Sequence, residues 1–347
     1  MTPAQPPSDI LQLHRRQLMQ GAGAAAMAAA AGAAAPEPAT AQGTAIVAEE
    51  HWAKKGLVDL YLYRKRLPGN TAQHVHGGPR PVLFLVHGST FSSRGSYDLQ
   101  VPGHPGYSMM DEFASLGFDV WTVDHEGYGR SSRTESHAGI MVGVEDLKAA
   151  LPVVERATGQ RSVMMYGASS GAIRAAAFAA AEPARVERLI LNAYTHTGEN
   201  APEIDRRRAQ AERYKANPRR PLTRASIQRI FERDTPGVSA QPVIDALAAY
   251  ELAFGDTVPA GTYLDMAVNL PLADPAQIKC PVCMIRAEVD GNASEEELMR
   301  FYAALPNKDK QFIMIAGQAH AGGHGLNRHR LWHAVQAFLT YPPMRNA

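Results

Sequence analysis

A stretch of five small residues, Gly167 to Gly171, places two adjacent serines between an apolar run and an alanine-rich segment. The run "SVMMY" before it predicts a strand, and "GAIRAAAFAAAEP" predicts a helix that starts within it. In that setting the pattern G-x-S-x-G is typical of a sharp turn that exposes a nucleophile, because its two glycines relieve crowding between strand and helix. The helix N-terminus also favours developing negative charge. The spacing selects Ser169 as the nucleophile.

Two other uses of a glycine-rich turn fit the sequence less well. A phosphate-binding loop needs the pattern G-x-x-x-x-G-K-[ST], and no lysine follows this turn. A dinucleotide-binding turn needs G-x-G-x-x-G after the first strand, whereas this turn follows a much later strand. A plain Gly/Ser turn without chemistry remains the alternative.

A serine hydroxyl needs a general base, and the base needs an acid that orients it. The segment "VCMIRAEVDGNAS" ends a predicted strand and offers Glu288 and Asp290. The segment "QFIMIAGQAHAGGHG" ends the next strand and offers His320 and His324. Because open α/β sheets build their sites at the carboxyl ends of parallel strands, these groups are expected near Ser169. The chain order of serine, acid and histidine fits this expectation.

The elements that must position these groups alternate along the chain from residue 45 onward. Continuous apolar runs such as "VLFLV" and "FDVWTVD" alternate with amphipathic helices, which predicts an α/β fold with a mostly parallel sheet covered on both faces. The first one or two strands, including "GLVDLYLYRKRL", are expected to form an antiparallel edge. Residues 196–275 break this rhythm, because they predict helices and no convincing strand.

An insertion of that length is too long for one crossover helix and is expected to form a helical cap over the carboxyl edge of the sheet. The cap carries nine arginines within residues 206–233, which we expect mostly to face solvent. A rim that attracts anionic substrates and a contact surface are the alternatives. Four larger side chains of the cap could line an apolar pocket, although packing in the cap core is favoured for each: Tyr250, Phe254, Tyr263 and Met266.

Several segments together resemble an α/β-hydrolase-fold serine hydrolase of the broad esterase and lipase type: "VLFLVHGST", "VWTVDHEGYGRSS", "MMYGASSG", "VCMIRAEVDGNAS" and "IAGQAHAGGHG". The likeness covers the predicted core, with the cap as the least similar part. It implies an eight-stranded, mostly parallel sheet with helices on both faces and a helical cap inserted before the acid-bearing strand.

The resemblance also implies a role for each candidate side chain. Ser169 is the nucleophile, His320 is the general base and Asp290 is the acid. The histidine of this family lies in the short loop directly after the last strand, which favours His320 over His324. The acid turn of the family ends on an aspartate, which favours Asp290 over Glu288.

The oxyanion hole should consist of backbone N–H groups, since fixed donors need no reorganisation when charge appears. Ser170 follows the nucleophile directly and is expected to supply one donor. The residue after His87-Gly88 is expected to supply the other, which makes it Ser89, with Thr90 as the alternative. No H-G-G-G run is present, which argues against that branch of lipases and esterases.

The N-terminal residues predict an exported protein. An Arg15-Arg16 pair precedes an apolar run, and Ala39-Thr40-Ala41 fits a small-x-small cleavage site. The apolar run is shorter than the ~20 residues that span a bilayer. We therefore expect a twin-arginine-type signal peptide at residues 1–41, a periplasmic or secreted protein, and no stable membrane anchor after cleavage. A disordered alanine-rich tail is the alternative.

The expected organisation after the signal is a first part of the hydrolase core at 42–195, the cap at 196–275 and a second part of the core at 276–347. Cys280 and Cys283 are expected to be buried thiols, because residues three apart on a strand point to opposite faces and cannot form a disulfide. A formal net charge of +1 gives no reason to expect a nucleic-acid partner.

The sequence thus predicts a serine esterase that cleaves a small-molecule carboxylic ester through an acyl-enzyme, with no metal or cofactor implied. The same groups serve lactone, amide or carbon–carbon bond hydrolysis, so these reactions stay open. Epoxide hydrolases and haloalkane dehalogenases resemble this core but carry an aspartate where Ser169 stands. A non-catalytic binding protein on the same scaffold is an alternative of another class.

Overall fold

The computed structural model describes residues 45–69 and 80–342, so the predicted signal peptide at residues 1–41 lies outside the described part of the chain. The strands within these ranges are β1 (Val47–Lys55), β2 (Val58–Arg66), β3 (Val82–Val86), β4 (Asp119–Val123), β5 (Val163–Ala168), β6 (Val186–Asn192), β7 (Arg219–Pro221), β8 (Thr257–Pro259), β9 (Val282–Val289) and β10 (Lys310–Ala319).

The α-helices within the same ranges are α1 (Ser93–Tyr97), α2 (Met109–Ser115), α3 (Ile140–Thr158), α4 (Ser170–Ala181), α5 (Pro202–Arg208), α6 (Ala211–Ala216), α7 (Arg224–Glu232), α8 (Gln241–Leu252), α9 (Gly261–Val268), α10 (Glu295–Ala304) and α11 (Arg328–Leu339). None of the described helices is both long and apolar enough to cross a membrane.

Eight strands form one sheet in the order β1-β2-β4-β3-β5-β6-β9-β10. The pairs β1–β2 and β2–β4 are antiparallel, and every later pair from β4 to β10 is parallel. The predicted α/β fold, with a mostly parallel sheet and an antiparallel edge, is therefore confirmed. The parallel arrangement brings the carboxyl ends of β3, β5, β6, β9 and β10 to one edge of the sheet, where the candidate site residues follow them.

Along each central strand, successive side chains point to opposite faces of the sheet and pack in separate hydrophobic cores. In β3, Phe84 and Val86 pack on one face of the sheet with side chains of α3, α4 and α10. Leu83 and Leu85 pack on the other face with side chains of α2 and α11. Helices thus cover both faces, which is why the central strands are continuous apolar runs in the sequence.

The insertion at 196–275 contains helices α5 to α9 and also the short strands β7 and β8, which pair antiparallel. The expectation that the insertion contains no strand is therefore wrong. Each strand has three residues and ends on a proline, so neither is long enough to show an alternating pattern. Phe231 and Val258 of the insertion pack with Leu99 and Tyr128 from loops of the core. The insertion is therefore joined to the core by apolar contacts.

A buried carboxylate also joins the insertion to the core. Glu251 of α8 accepts hydrogen bonds from the backbone N–H and the hydroxyl of Ser92, at 2.9 and 2.8 Å. Burial raises the pKa of Glu251 to about 8, because these two donors compensate only part of the lost hydration. At neutral pH the folded protein therefore holds a proton on Glu251 that the unfolded chain releases.

Both cysteines are buried and free, as expected. Only Cys283 lies on a strand, because β9 begins at Val282 and Cys280 lies in the bend before it, so the expectation that both share one strand is wrong. Burial raises the pKa of each thiol to about 12, so both stay protonated at physiological pH. Their contribution is packing rather than thiolate chemistry.

The protonation of Glu251 makes stability depend on pH. Between about pH 5 and pH 8 the folded state binds the proton more tightly than the unfolded state, so the free energy of unfolding falls as pH rises across this window. We expect Glu251→Gln, which resembles the protonated carboxyl, to remove several kcal/mol of that decrease. Urea unfolding at pH 5 and pH 8 measures it.

The matched control for this variant is Glu296→Gln, which changes an exposed carboxylate of α10. The control should keep the wild-type pH dependence. Equal pH dependence in Glu251→Gln and in the wild-type protein would contradict the role assigned to the buried carboxylate.

Candidate active site

The turn between β5 and α4 holds Ser169 in a rare backbone conformation. Its φ of 58° and ψ of −128° lie outside the regions that residues with a side chain ordinarily adopt. Its backbone N–H donates to the carbonyl oxygen of Asn192 at 2.9 Å, which fixes the turn to the end of β6. Such strain persists only where the surroundings impose it, and it is concentrated at functional sites.

The two glycines that flank Ser169 allow the backbone segments to touch. A Cβ atom on Gly167 would lie only 2.7 Å from the Cα of Ala172 in α4. A Cβ atom on Gly171 would lie only 2.6 Å from the carbonyl oxygen of His87, at the end of β3. Neither position can therefore hold a side chain, because the strands and the helix are as crowded here as the sequence motif predicts.

Ser169, His320 and Asp290 lie together in one chain of short contacts. The Oγ of Ser169 lies 2.9 Å from Nε2 of His320. The Nδ1 of His320 lies 2.9 Å from both carboxylate oxygens of Asp290. Since a carboxylate only accepts, Nδ1 donates to Asp290, which leaves Nε2 free to accept the serine proton.

Asp290 is held in its charged form although it is buried. Burial alone raises the pKa of this carboxyl, but His320 and the backbone N–H of Asn292, which donates to Oδ1 at 2.9 Å, outweigh that effect and lower it. Asn292 also places its side-chain amide 3.3 Å from Nε2 of His320. Asn292 was not predicted from the sequence, although its position two residues after Asp290 could have identified it.

The alternative base and the alternative acid lie elsewhere. The Nε2 of His324 is 2.9 Å from the backbone carbonyl of Gly95, and its ring is buried. Burial lowers the pKa of His324 to about 4, so it is neutral at physiological pH. Glu288 accepts from the backbone N–H of Gly317 at 2.7 Å on the surface. Among the described residues, neither side chain is within hydrogen-bond distance of Ser169.

Ser89 and Ser170, the expected oxyanion donors, lie side by side. Their hydroxyls are 2.7 Å apart, and the hydroxyl of Ser89 also lies 2.6 Å from that of Thr262 in α9. Within residues 45–69 and 80–342, their backbone N–H groups donate to no protein acceptor. Both amides are therefore available to an oxyanion, while both side chains are engaged elsewhere. The contact with Thr262 was not predicted.

A buried histidine supports this loop from below. The Nε2 of His87 accepts from the backbone N–H of His125 at 3.0 Å, and its Nδ1 is 2.7 Å from the carbonyl oxygen of Gly88. Complete burial lowers the pKa of His87 well below its ordinary value. His87 is therefore a neutral side chain that fixes the loop before Ser89.

A cavity between the core and the insertion opens onto Ser169 and His320. The larger apolar and aromatic side chains of its lining come from both the core and the insertion: Phe91, Tyr97, Met109, Tyr166, Ile230, Tyr263, Met266 and Trp332. Tyr263 and Met266 line this cavity, which is the alternative that the sequence favoured less, whereas Tyr250 and Phe254 do not line it. Two arginines of the insertion, Arg207 and Arg233, also line it.

The described residues contain no group of three or more histidine, cysteine, aspartate or glutamate side chains that could hold a metal ion. The cavity presents a serine hydroxyl and an imidazole, with a carboxylate and backbone donors beside them. These are the groups of nucleophilic acyl transfer.

The sequence of residues 78–322 matches the family described as "Serine aminopeptidase, S33". A protein of Paraburkholderia phymatum, named 2-hydroxy-6-oxononadienedioate/2-hydroxy-6-oxononatrienedioate hydrolase, is 32% identical over 140 residues. That alignment covers 37% of this chain and 43% of the relative, so the chain aligns with less than half of the relative's length.

Solved structures with the same fold include several kinds of hydrolase. A thermophilic esterase from Thermogutta terrifontis superposes with a TM-score of 0.61 at 20% identity, over 84% of this chain and 98% of that one. An enol-lactonase from Burkholderia xenovorans gives 0.60 at 18% identity, over 84% and 100%. An epoxide hydrolase mutant from Vigna radiata gives 0.61 at 16% identity, over 84% and 98%.

At these identities the structural likeness concerns the fold alone, whereas the sequence match covers both parts of the core together with the insertion. The chain belongs to the serine aminopeptidase S33 family and is a hydrolase with the α/β-hydrolase fold.

Proposed function

We propose that this hydrolase cleaves carboxylic esters by way of an acyl-enzyme, with Ser169 as nucleophile, His320 as general base and Asp290 as the orienting acid. One observation carries the proposal: Ser169 Oγ lies 2.9 Å from a ring nitrogen of His320, whose other ring nitrogen lies 2.9 Å from Asp290. A nucleophile within reach of a base that a third group orients is the arrangement that activates a serine.

In the acylation step, Ser169 Oγ forms a bond to the ester carbonyl carbon while Nε2 of His320 takes the hydroxyl proton. The carbonyl oxygen becomes an oxyanion, which accepts from the backbone N–H groups of Ser89 and Ser170. When the tetrahedral intermediate collapses, the bond to the alcohol oxygen breaks and the alcohol leaves with the proton from His320. The acyl group stays on Ser169.

Deacylation repeats these steps with water as the nucleophile. His320 takes a proton from water as the water oxygen bonds to the acyl carbon, and the same two amides hold the second oxyanion. Collapse returns the proton to Ser169 Oγ and releases the carboxylic acid. Throughout, Asp290 keeps Nδ1 of His320 protonated, which its lowered pKa supports.

A second candidate function is hydrolysis of a carbon–carbon bond next to a ketone. The Paraburkholderia phymatum relative is named for a 2-hydroxy-6-oxononadienedioate, a compound with a ketone and no ester bond. The aligned segment covers 43% of that protein, so the name bears on this chain only as a suggestion for the substrate panel. Lactone and amide hydrolysis use the same groups and belong in the same panel.

The nucleophile assignment predicts loss of turnover in Ser169→Ala. We expect kcat for p-nitrophenyl acetate to fall on the order of 10⁶-fold, as when an activated serine is removed from a comparable site. The folded state should survive, because the backbone of the turn is unchanged. Steady-state kinetics and thermal unfolding of the purified variant measure the two quantities.

A fluorophosphonate probe separates this proposal from a binding protein on the same scaffold. The wild-type protein should gain one adduct on Ser169 by mass spectrometry, and Ser169→Ala should gain none. An unlabelled wild-type protein, or near-normal turnover by Ser169→Ala, would refute the mechanism.

The acid assignment predicts a contrast between two nearby carboxylates. Asp290→Asn should lower kcat on the order of 10⁴-fold, because an amide holds the histidine in the wrong tautomer. Glu288→Gln is the matched control, since Glu288 lies on the surface against the backbone of Gly317. Comparable losses in both variants, or a larger loss in Glu288→Gln, would show that the acid is assigned wrongly.

A further inference from the structure

The arginines of the insertion divide into two groups. Five of the nine within residues 206–233 are exposed, as expected for a solvated face: Arg206, Arg208, Arg213, Arg224 and Arg229. The other four are buried or half-buried: Arg207, Arg219, Arg220 and Arg233. Two of these, Arg207 and Arg233, line the cavity that contains Ser169.

Arg207 is a buried cation without a carboxylate counter-ion among the described residues. Its residue is 5% exposed, and among the described residues no carboxylate lies within salt-bridge distance of its guanidinium. Its direct contacts are with α9, where Nη1 lies 3.8 Å from the sulfur of Met266 and the guanidinium lies 4.7 Å from the centre of the Tyr263 ring. Burying such a charge unpaired costs several kcal/mol, so a partner is expected.

The neighbouring Arg233 differs, because protein groups compensate its charge. It forms ion pairs with Glu203 and Asp234, each at 3.4 Å, and donates to the side-chain oxygen of Asn292 at 2.8 Å. Glu203 is thereby engaged by Arg233 and also by Arg206. This carboxylate is therefore paired with other arginines and not with Arg207.

Tyr263 reports the excess of positive charge around Arg207. Burial raises the pKa of this phenol, but Arg220 and Arg207 outweigh burial and lower it to about 7. The guanidinium of Arg220 lies 4.0 Å from the centre of the Tyr263 ring and donates to the hydroxyl of Thr90. Two guanidinium groups thus face one phenol, in a region that attracts a further negative charge.

We propose that Arg207 binds a carboxylate of the substrate, so that the natural substrate is an ester carrying a free carboxylate away from its scissile bond. The inference rests on the proposed ester hydrolysis for the position of that bond at Ser169. A carboxylate fits the geometry and the charge, because its two oxygens match the planar guanidinium fork and it brings Arg207 the negative charge that no protein carboxylate supplies. The apolar side chains that line the cavity suit a hydrocarbon linker between the two groups of such a substrate.

Two pairs of isosteric esters test this inference on the acyl side and on the alcohol side. The acyl pair is mono-p-nitrophenyl adipate and p-nitrophenyl 5-carbamoylpentanoate, and the alcohol pair is 4-acetoxybenzoate and 4-acetoxybenzamide. In at least one pair, the wild-type kcat/KM should be about 10- to 100-fold higher for the anionic ester, the range that a charge-assisted hydrogen bond supplies. Arg207→Gln should bring that ratio close to one.

The matched control is Arg213→Gln, which removes an exposed arginine of the same insertion and should keep the wild-type ratio. A binding measurement is independent of turnover: Ser169→Ala should bind adipate or 4-hydroxybenzoate by calorimetry, and addition of Arg207→Gln should weaken that binding by a similar factor. Both the wild-type ratio and the binding to Ser169→Ala are measurable even if Arg207→Gln does not fold.

The outcomes separate this inference from the proposed function. Neutral and anionic esters hydrolysed equally, with no binding of either carboxylate, would overturn the carboxylate site while ester hydrolysis stands. A wild-type preference that Arg207→Gln retains would equally remove Arg207 from the site. Binding of a carboxylate that depends on Arg207, in a protein that hydrolyses no ester, would support the site and contradict the esterase proposal.

Discussion

The site depends on one packing constraint, the direct contact of backbone segments beneath Ser169. Gly167 at the end of β5 and Gly171 in α4 admit no Cβ atom, because α4 and the end of β3 occupy that space. Ser169 is thereby held at a positive φ that costs ~1–3 kcal/mol in an unconstrained chain. Ser169, the N-terminus of α4 and the loop before Ser89 all meet at this contact, which fixes their positions at the sheet edge.

The buried charged side chains near Ser169 differ in whether other protein groups compensate their charge. Asp290 is buried but receives His320 and a backbone N–H, so its charge is satisfied within the protein. Arg233 is satisfied by Glu203 and Asp234. Arg207 has no carboxylate partner among residues 45–69 and 80–342, and it lines the cavity that contains Ser169. The carboxylate site proposed above would compensate this charge with a ligand.

Much of the site could be predicted because it is encoded in short segments at strand ends. The turn around Ser169, and the segments that hold Asp290 and His320, each follow an apolar run whose periodicity gives the strand. By contrast, Arg206, Arg207 and Arg208 are consecutive and identical in type, and only the packing of α5 against α9 decides which one is buried. The three-residue strands β7 and β8 escaped prediction because pairing between distant segments, rather than local pattern, creates them.

The hydrogen bond between Ser89 and Thr262 joins the insertion to the loop after β3. Thr262 belongs to α9, and Ser89 lies directly in the loop after β3. An outward displacement of α9 would therefore break a contact of the loop that holds Ser89. Under the proposed mechanism, a bulky substrate that displaced α9 would weaken one oxyanion donor, whereas a smaller one would meet both donors in place. The contact would then couple the size of a substrate to its rate of reaction as well as to its binding.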